Sequence, residues 1–179
     1  MLYTKNGDNG KTNIFWCDQK LSKSSAIAEA LGCLDETNSY LGVIKCKVKG
    51  KKFKKEKIQD LIRNIQNNLF IIQAQVAGAD KKIREEEVEK LERIIDDIEK
   101  ELLPIKSFMI PGANELSANF DFARTLARRA ERRVVAVHDE EITKIDYLTL
   151  SHLNRLSSFL YAFARYSAKW SGAEESPKY

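Results

Sequence analysis

Asp121 to Arg132, reading DFARTLARRAER, concentrates the side chains of this sequence that could handle an anion. At about 100° per residue a helix sets Arg124, Arg128 and Glu131 on one narrow stripe flanked by Asp121 and Arg132. Leu116, Phe120, Ala123, Ala127, Ala130 and Val134 fall on the opposite, apolar arc. Like charges on one stripe repel, so the arrangement requires a neutralising group: Glu131 itself, a carboxylate on another segment, or a polyanionic ligand. The plainer alternative is a solvated charged face.

A second anion-handling stretch stands near the start. Residues 3–13, YTKNGDNGKTN, are too polar and turn-rich for a helix and read as a loop. Gly7 and Gly10 permit backbone conformations that expose consecutive N–H groups, and Thr4, Lys5, Lys11 and Thr12 add side-chain donors. Gly10-Lys11-Thr12 imitates the end of a Walker A motif. Lys5 or Asn6 stands where its first glycine belongs, however, and no buried strand precedes it, so an ordinary P-loop is excluded. A phosphate-binding loop or a frayed terminal turn remains.

The elements that must position these stretches are helical. The 179 residues suffice for one domain, residues 1–179, and the scarcity of Gly and Pro together with abundant charge predicts an all-α protein. Apolar residues at three-four spacing predict helices over about 24–48, 56–77, 83–102 and 146–170, besides the arginine helix, whose apolar arc runs from Leu116 to Val134 and which ends at His138. Residues 1–23 form the N-terminal loop, 24–170 the bundle, and 171–179 read as a disordered tail. Gly78-Ala79-Asp80 is short enough to force an antiparallel helix pair. Asn38 occupies an apolar slot of the first helix, either to fix register or, with Asp35 and Glu36, to meet the arginine stripe. The apolar stretch 103–113, LPIKSFMIPGA, either plugs one end of the bundle or presents Phe108 and its neighbours to a large apolar ligand. On the last helix, Asn154, Ser158, Tyr161 and Arg165 share one face, where Asn154 reads a base or ribose edge or makes an interhelical bond.

Several chemistries are excluded. His138 and His152 lack the Glu-x-x-His pairing of a di-iron bundle, and no protein side chains are assigned as metal ligands. No Ser-His-Asp or Cys-His pair supports a covalent nucleophile. Three cysteines without metal-ligand spacing or a secretory leader predict a reducing, cytoplasmic setting. No apolar run approaches the roughly 20 residues of a membrane span. The net charge of +4 depends on eight lysines between Lys45 and Lys57. That stretch reads as a solvated connection rather than a nucleic-acid site, since only Phe53 is interleaved for stacking.

Five motifs in order, TKNGDNGKT, LDETNSYLG, KSFMIPGA, ARTLARRAER and NRLSS, resemble those of the trimeric ATP:cob(I)alamin adenosyltransferases of the propanediol-utilisation type. The resemblance covers nearly the whole chain. It implies a five-helix protein built on an antiparallel four-helix bundle, assembled as a homotrimer with active sites between subunits. The implied reaction moves the 5′-deoxyadenosyl group of ATP to the cobalt of reduced cobalamin and releases triphosphate, with Mg²⁺ bridging phosphates. It further implies that Thr4, Lys5, Asn6, Gly7, Thr12, Asn13 and Lys23 hold ATP from the N-terminal side, and that Arg128, Arg129, Glu131, Arg132 and Asn154 complete the nucleotide site. Arg124 would pair with Asp35 across a subunit interface. Phe108, with Met109, would meet the corrinoid, Phe108 covering its lower face, and a flavin or other reductase and an adenosylcobalamin-dependent enzyme would be partners. The sequence departs from the family pattern at Thr37, Ala113, Asp121 and Ser158. A non-catalytic scaffold or RNA-binding bundle using Lys45 to Lys57 is the competing reading.

Overall fold

The computed structural model describes residues 3, 5–14, 20–104, 107, 109–169, 172 and 177. Five helices form its body: α1 (Ala26–Lys47), α2 (Ile58–Val76), α3 (Glu85–Glu99), α4 (Glu115–Asp139) and α5 (Tyr147–Lys169). The all-α expectation holds for this body, but two small antiparallel hairpins escaped it. One pairs β1 (Lys11–Asn13) with β2 (Lys20–Ser22), so the N-terminal stretch is not loop throughout. The other pairs β3 (Lys52–Phe53) with β4 (Glu56–Lys57). The predicted tail lies outside the described residues apart from Gly172 and Pro177.

The helix boundaries follow local chemistry. Ser25 caps α1 by accepting the N–H of Ala28. Asn114 caps α4 by accepting from the Ser117 N–H at 2.8 Å, while its own amide donates to the Ser167 carbonyl at 2.7 Å. One side chain thus satisfies one of the orphaned donors of α4 and ties its start to the end of α5. Those two helices run antiparallel, since Glu131 near the other end of α4 meets Asn154 near the start of α5. α1 also lies antiparallel to α4, linked by Glu29 to Arg133, Glu36 to Arg129 and Lys47 to Glu115. On α1, Asn38 is buried in the seam as expected.

The core centres on Phe163 of α5, whose ring stacks on Phe120 and packs against Phe159 and Phe53. Phe53 is only 4% exposed, so the expectation of a solvated lysine-rich connection fails at this residue. The hairpin folds its single aromatic into the bundle and leaves its lysines outside. No ring remains there to stack a base.

α2 and α3 meet through side chains as an antiparallel pair, with Asn68 opposite Glu87 and Leu61 in the same groove as Ile94. Asn68 bridges three helices. Its amide donates to Glu87 at 3.0 Å and meets His152 Nε2 of α5 at 3.1 Å. An amide nitrogen only donates, so Nε2 accepts and the imidazole is neutral with its proton on Nδ1, a buried atom lacking a partner. Burial drives the His152 pKa down to about 4, against a smaller opposing pull from Glu87. Glu87 itself is held below the ordinary glutamate value, first by the Asn68 hydrogen bond.

His152 stays neutral in the fold while the unfolded chain takes up a proton near pH 6.5, so its stabilising contribution is complete above 6.5 and is lost as pH falls towards about 4. Across that window the loss should be on the order of 3 kcal/mol. Urea denaturation of His152→Gln should show a flatter stability profile between pH 6.5 and 4 than the parent chain, and parallel profiles would contradict the assignment.

Candidate active site

The N-terminal loop is built by successive turns. Asp8 N–H bonds Lys5 O, Gly10 N–H bonds Gly7 O, and the Lys23 N–H returns to Gly10 O at 2.9 Å. Gly10 sits at φ 75°, in the left-handed region where a side chain is strained. Gly7 lies close under the Lys23 side chain: a Cβ there would stand 2.9 Å from Lys23 Nζ, the movable end of that chain. The β1–β2 pairing sets Thr12 opposite Leu21 and brings Lys23 back over the loop. Lys5, Asn6, Gly7, Thr12, Asn13 and Lys23 are therefore gathered in one small unit, anchored to the core through buried Ile14. Thr4 lies outside the described residues.

α4 divides as its sequence requires. Phe120, Ala123, Ala127, Ala130 and Val134 are buried, and Arg128 and Arg132 are exposed. Arg124 and Arg128 line a cavity of about 980 Å³. Its apolar wall comes from Ile95 and Ile98 of α3 and from Met109, Ile110 and Pro111; Ser158, Tyr161 and Arg165 of α5 add polar atoms. The described residues Ser107, Met109, Ile110, Pro111 and Ala113 of the 103–113 stretch line the cavity, with Ile110 half exposed, and Leu103 is largely exposed. Phe108 lies outside the described residues. Met109, Arg124 and Arg128 are brought together, whereas no described residue of the N-terminal loop lines this cavity.

The arginines find different partners. Arg124 Nε donates to Asp121 Oδ1 at 3.2 Å, with side-chain exposures of 27% and 13%. Its guanidinium also stands 5.9 Å from the Tyr161 ring centroid. Asp121, a departure from the family pattern, thereby supplies Arg124 with a carboxylate inside the chain. Burial raises the Asp121 pKa, and Arg124 opposes that shift. Asp35 is exposed on α1 and makes no ion pair with Arg124 among the described residues of the single chain. Arg129 is bound to Glu36, so within one chain it is engaged in tying α4 to α1. Glu131 Oε1 accepts from Asn154 Nδ2 at 2.9 Å, and Asn154 Oδ1 accepts from Arg155, itself bonded to Glu92 of α3. Arg128 has no ion-pair partner among the described residues. Thr37, another departure, satisfies its buried hydroxyl on the Cys33 carbonyl at 2.8 Å.

The family model described as cobalamin adenosyltransferase matches residues 2–167. The chain belongs to the cobalamin adenosyltransferase family. It is 37% identical over 171 residues to the corrinoid adenosyltransferase PduO of Citrobacter freundii, covering 92% of this chain and 49% of that protein. A corrinoid adenosyltransferase of Bacillus subtilis is 36% identical over 168 residues, covering 92% of this chain and 84% of the other. The chain therefore spans about half the length of the Citrobacter relative and most of the Bacillus one. Among solved structures, a phenylalanine-to-histidine variant of a PduO-type ATP:corrinoid adenosyltransferase from Lactobacillus reuteri, complexed with cobalamin and ATP, superposes with a TM-score of 0.85. That match has 30% sequence identity and covers 100% of this chain and 96% of the other. The family and its helical fold agree with the sequence resemblance.

Sequence reasoning left two features of this family member's cavity unassigned. The Asp121–Arg124 pair was available from its i,i+3 spacing. Burial of Arg165 was not, because only tertiary packing turns that face of α5 inward. Arg124→Ala should strand the half-buried Asp121 carboxylate and cost on the order of 1–2 kcal/mol at pH 7. With its carboxylate pKa raised further, the variant regains part of this loss at pH 5; urea titrations with equal deficits at both pH values would refute the pairing.

Proposed function

We propose that this chain transfers the 5′-deoxyadenosyl group of ATP to the cobalt of a reduced corrinoid. The observation that carries the reading is Arg128, a guanidinium without an ion-pair partner among the described residues, set on the same cavity as Met109 and Arg124. The complexed state of the Lactobacillus reuteri relative, with cobalamin and ATP, supports the same pair of substrates here.

In the reaction the electron pair of the Co(I) substrate attacks C5′ of ATP. The new Co–C bond forms as the C5′–O bond breaks, and its electrons leave with triphosphate. The substrate carries its own nucleophile, so the protein needs no catalytic base. Its work is to align C5′ with cobalt and to stabilise the departing charge. Arg128, Lys5 and Lys23 suit the second task. Glu131, Asn154, Arg129 and Arg132 frame the nucleotide, joined by Thr4, Asn6, Gly7, Thr12 and Asn13. Mg²⁺ fits as a companion of the triphosphate, whose oxygens suit a hard cation that retains several waters. Among the described residues no three His, Cys, Asp or Glu side chains gather into a metal-binding group.

No described residue of the N-terminal unit lines the cavity that Arg128 borders. We take the nucleotide site to be completed by a second copy in a homotrimer, with Asp35 of one subunit facing Arg124 of the next. Phe108 and Met109 would cover the lower corrin face and keep water from the cobalt, easing its reduction by an electron donor such as a flavin reductase. Adenosylcobalamin would then pass to an enzyme that uses it, in the cytoplasm.

Incubation with Mg-ATP and chemically reduced cobalamin should produce the absorbance of adenosylcobalamin. Arg128→Ala, an exposed substitution, should keep its melting temperature while losing about 10²-fold or more in turnover. Parent-like rates in that variant would refute the triphosphate assignment, and no product from the parent chain would refute the reaction.

A further inference from the structure

The cavity holds, besides Arg124 and Arg128, a third arginine that the proposed reaction does not use. Arg165 is 8% exposed and lines the cavity from α5. Its Nη2 donates to the Leu103 carbonyl at 3.0 Å, its buried Nε has no hydrogen-bond partner, and no carboxylate lies within ion-pair distance among the described residues. A buried guanidinium holding one carbonyl and no counter-ion leaves most of its desolvation uncompensated. An acceptor supplied from within the cavity relieves that cost.

Position narrows the acceptor's identity. Arg128 lies on α4 one turn from Glu131, whose partner Asn154 is near the start of α5. Arg165 lies towards the opposite end of the cavity, near Ala168 and Leu102. From Ser157 to Ala168 the lining of α5 extends about 16 Å. A ligand with its reacting centre near Arg128 must therefore be broad and flat-sided to reach Arg165, and largely apolar to suit Ile95, Ile98 and Met109. A corrin ring has those properties, and its rim carries carboxamide side chains.

We propose that Arg165 reads the rim of the corrinoid, donating from its guanidinium to a side-chain carbonyl oxygen and more strongly to a carboxylate at the same place. This rests on the adenosyltransferase reading. Arg165 is then a specificity-determining residue, fixing the ring's rotation in the cavity and favouring a rim acid over the corresponding amide, because a charge-assisted bond is the stronger one. Its bond to Leu103 holds the guanidinium in place for that contact.

The test is an absorbance titration of the Mg-ATP-loaded protein with cob(II)alamin and with its monocarboxylic acids, in which one rim amide is hydrolysed. The parent chain should bind one of these acids about tenfold more tightly than the amide. Arg165→Met keeps the stem's packing and removes the donors. It should weaken corrinoid binding about tenfold, abolish the acid preference and leave the KM for ATP unchanged, while Arg165→Lys should retain part of the preference. Unchanged binding by the Met variant, or equal binding of every acid and the amide by the parent, overturns the proposal. Should the Met variant fail to fold, the parent's preference and its reduction in the Lys variant decide. A parent chain that adenosylates cobalamin but shows no rim preference sinks this inference alone; one that binds no corrinoid sinks the adenosyltransferase reading as well.

Discussion

The structure depends on α4 serving two environments at once. Ala123, Ala127 and Ala130 are small enough to let α1 and α5 approach closely, and they are fully buried. The same helix carries five arginines, which cannot follow them inside without partners. The chain distributes these charges: Arg124 to Asp121, Arg129 to Glu36 and Arg133 to Glu29. Such pairs at partly exposed positions each contribute only about 0–1 kcal/mol, so their main effect is placement. Arg128 is left facing the cavity, and the burial of its neighbours fixes where it points.

The same economy explains the walls around it. Asn114 caps α4 and grips the end of α5, fixing the two helix ends that carry the lining residues Ser117 and Ala168. At the other end Asn154 is held by Glu131 and Arg155, and Arg155 by Glu92, so α3, α4 and α5 are coupled beside the proposed nucleotide. A site built on helices clamped to one another can hold its donors in place before substrate arrives. Asp121 is part of that clamp, positioning Arg124 against Tyr161.

Much of this was legible in the sequence because helical periodicity reports directly on burial. Phe120, Ala127 and Val134 fall on the arc that is buried, and Glu131 and Asn154, drawn from separate motifs, prove to be hydrogen-bonded. Where reading failed, the determinant was nonlocal. Two- and three-residue strands offer too little alternation to register, and the burial of Phe53 depends on Phe163 and Tyr166 more than a hundred residues away. Arg165 sits one turn from Tyr161 on a face that reads as polar, yet it is buried and bonded to the Leu103 carbonyl. The partial burial of the Asp121–Arg124 pair is likewise invisible until α4 is packed in the fold.

The central claim is that the nucleotide is held by the N-terminal unit of one copy and by Arg128 of another. It is tested by co-expressing Lys23→Ala with Arg128→Ala, each of low activity alone, and assaying the mixed assemblies. Random association places an intact loop against an intact Arg128 in about a quarter of sites, so activity should recover to about a quarter of the parent value. A mixture no more active than either variant alone would contradict a site shared between copies.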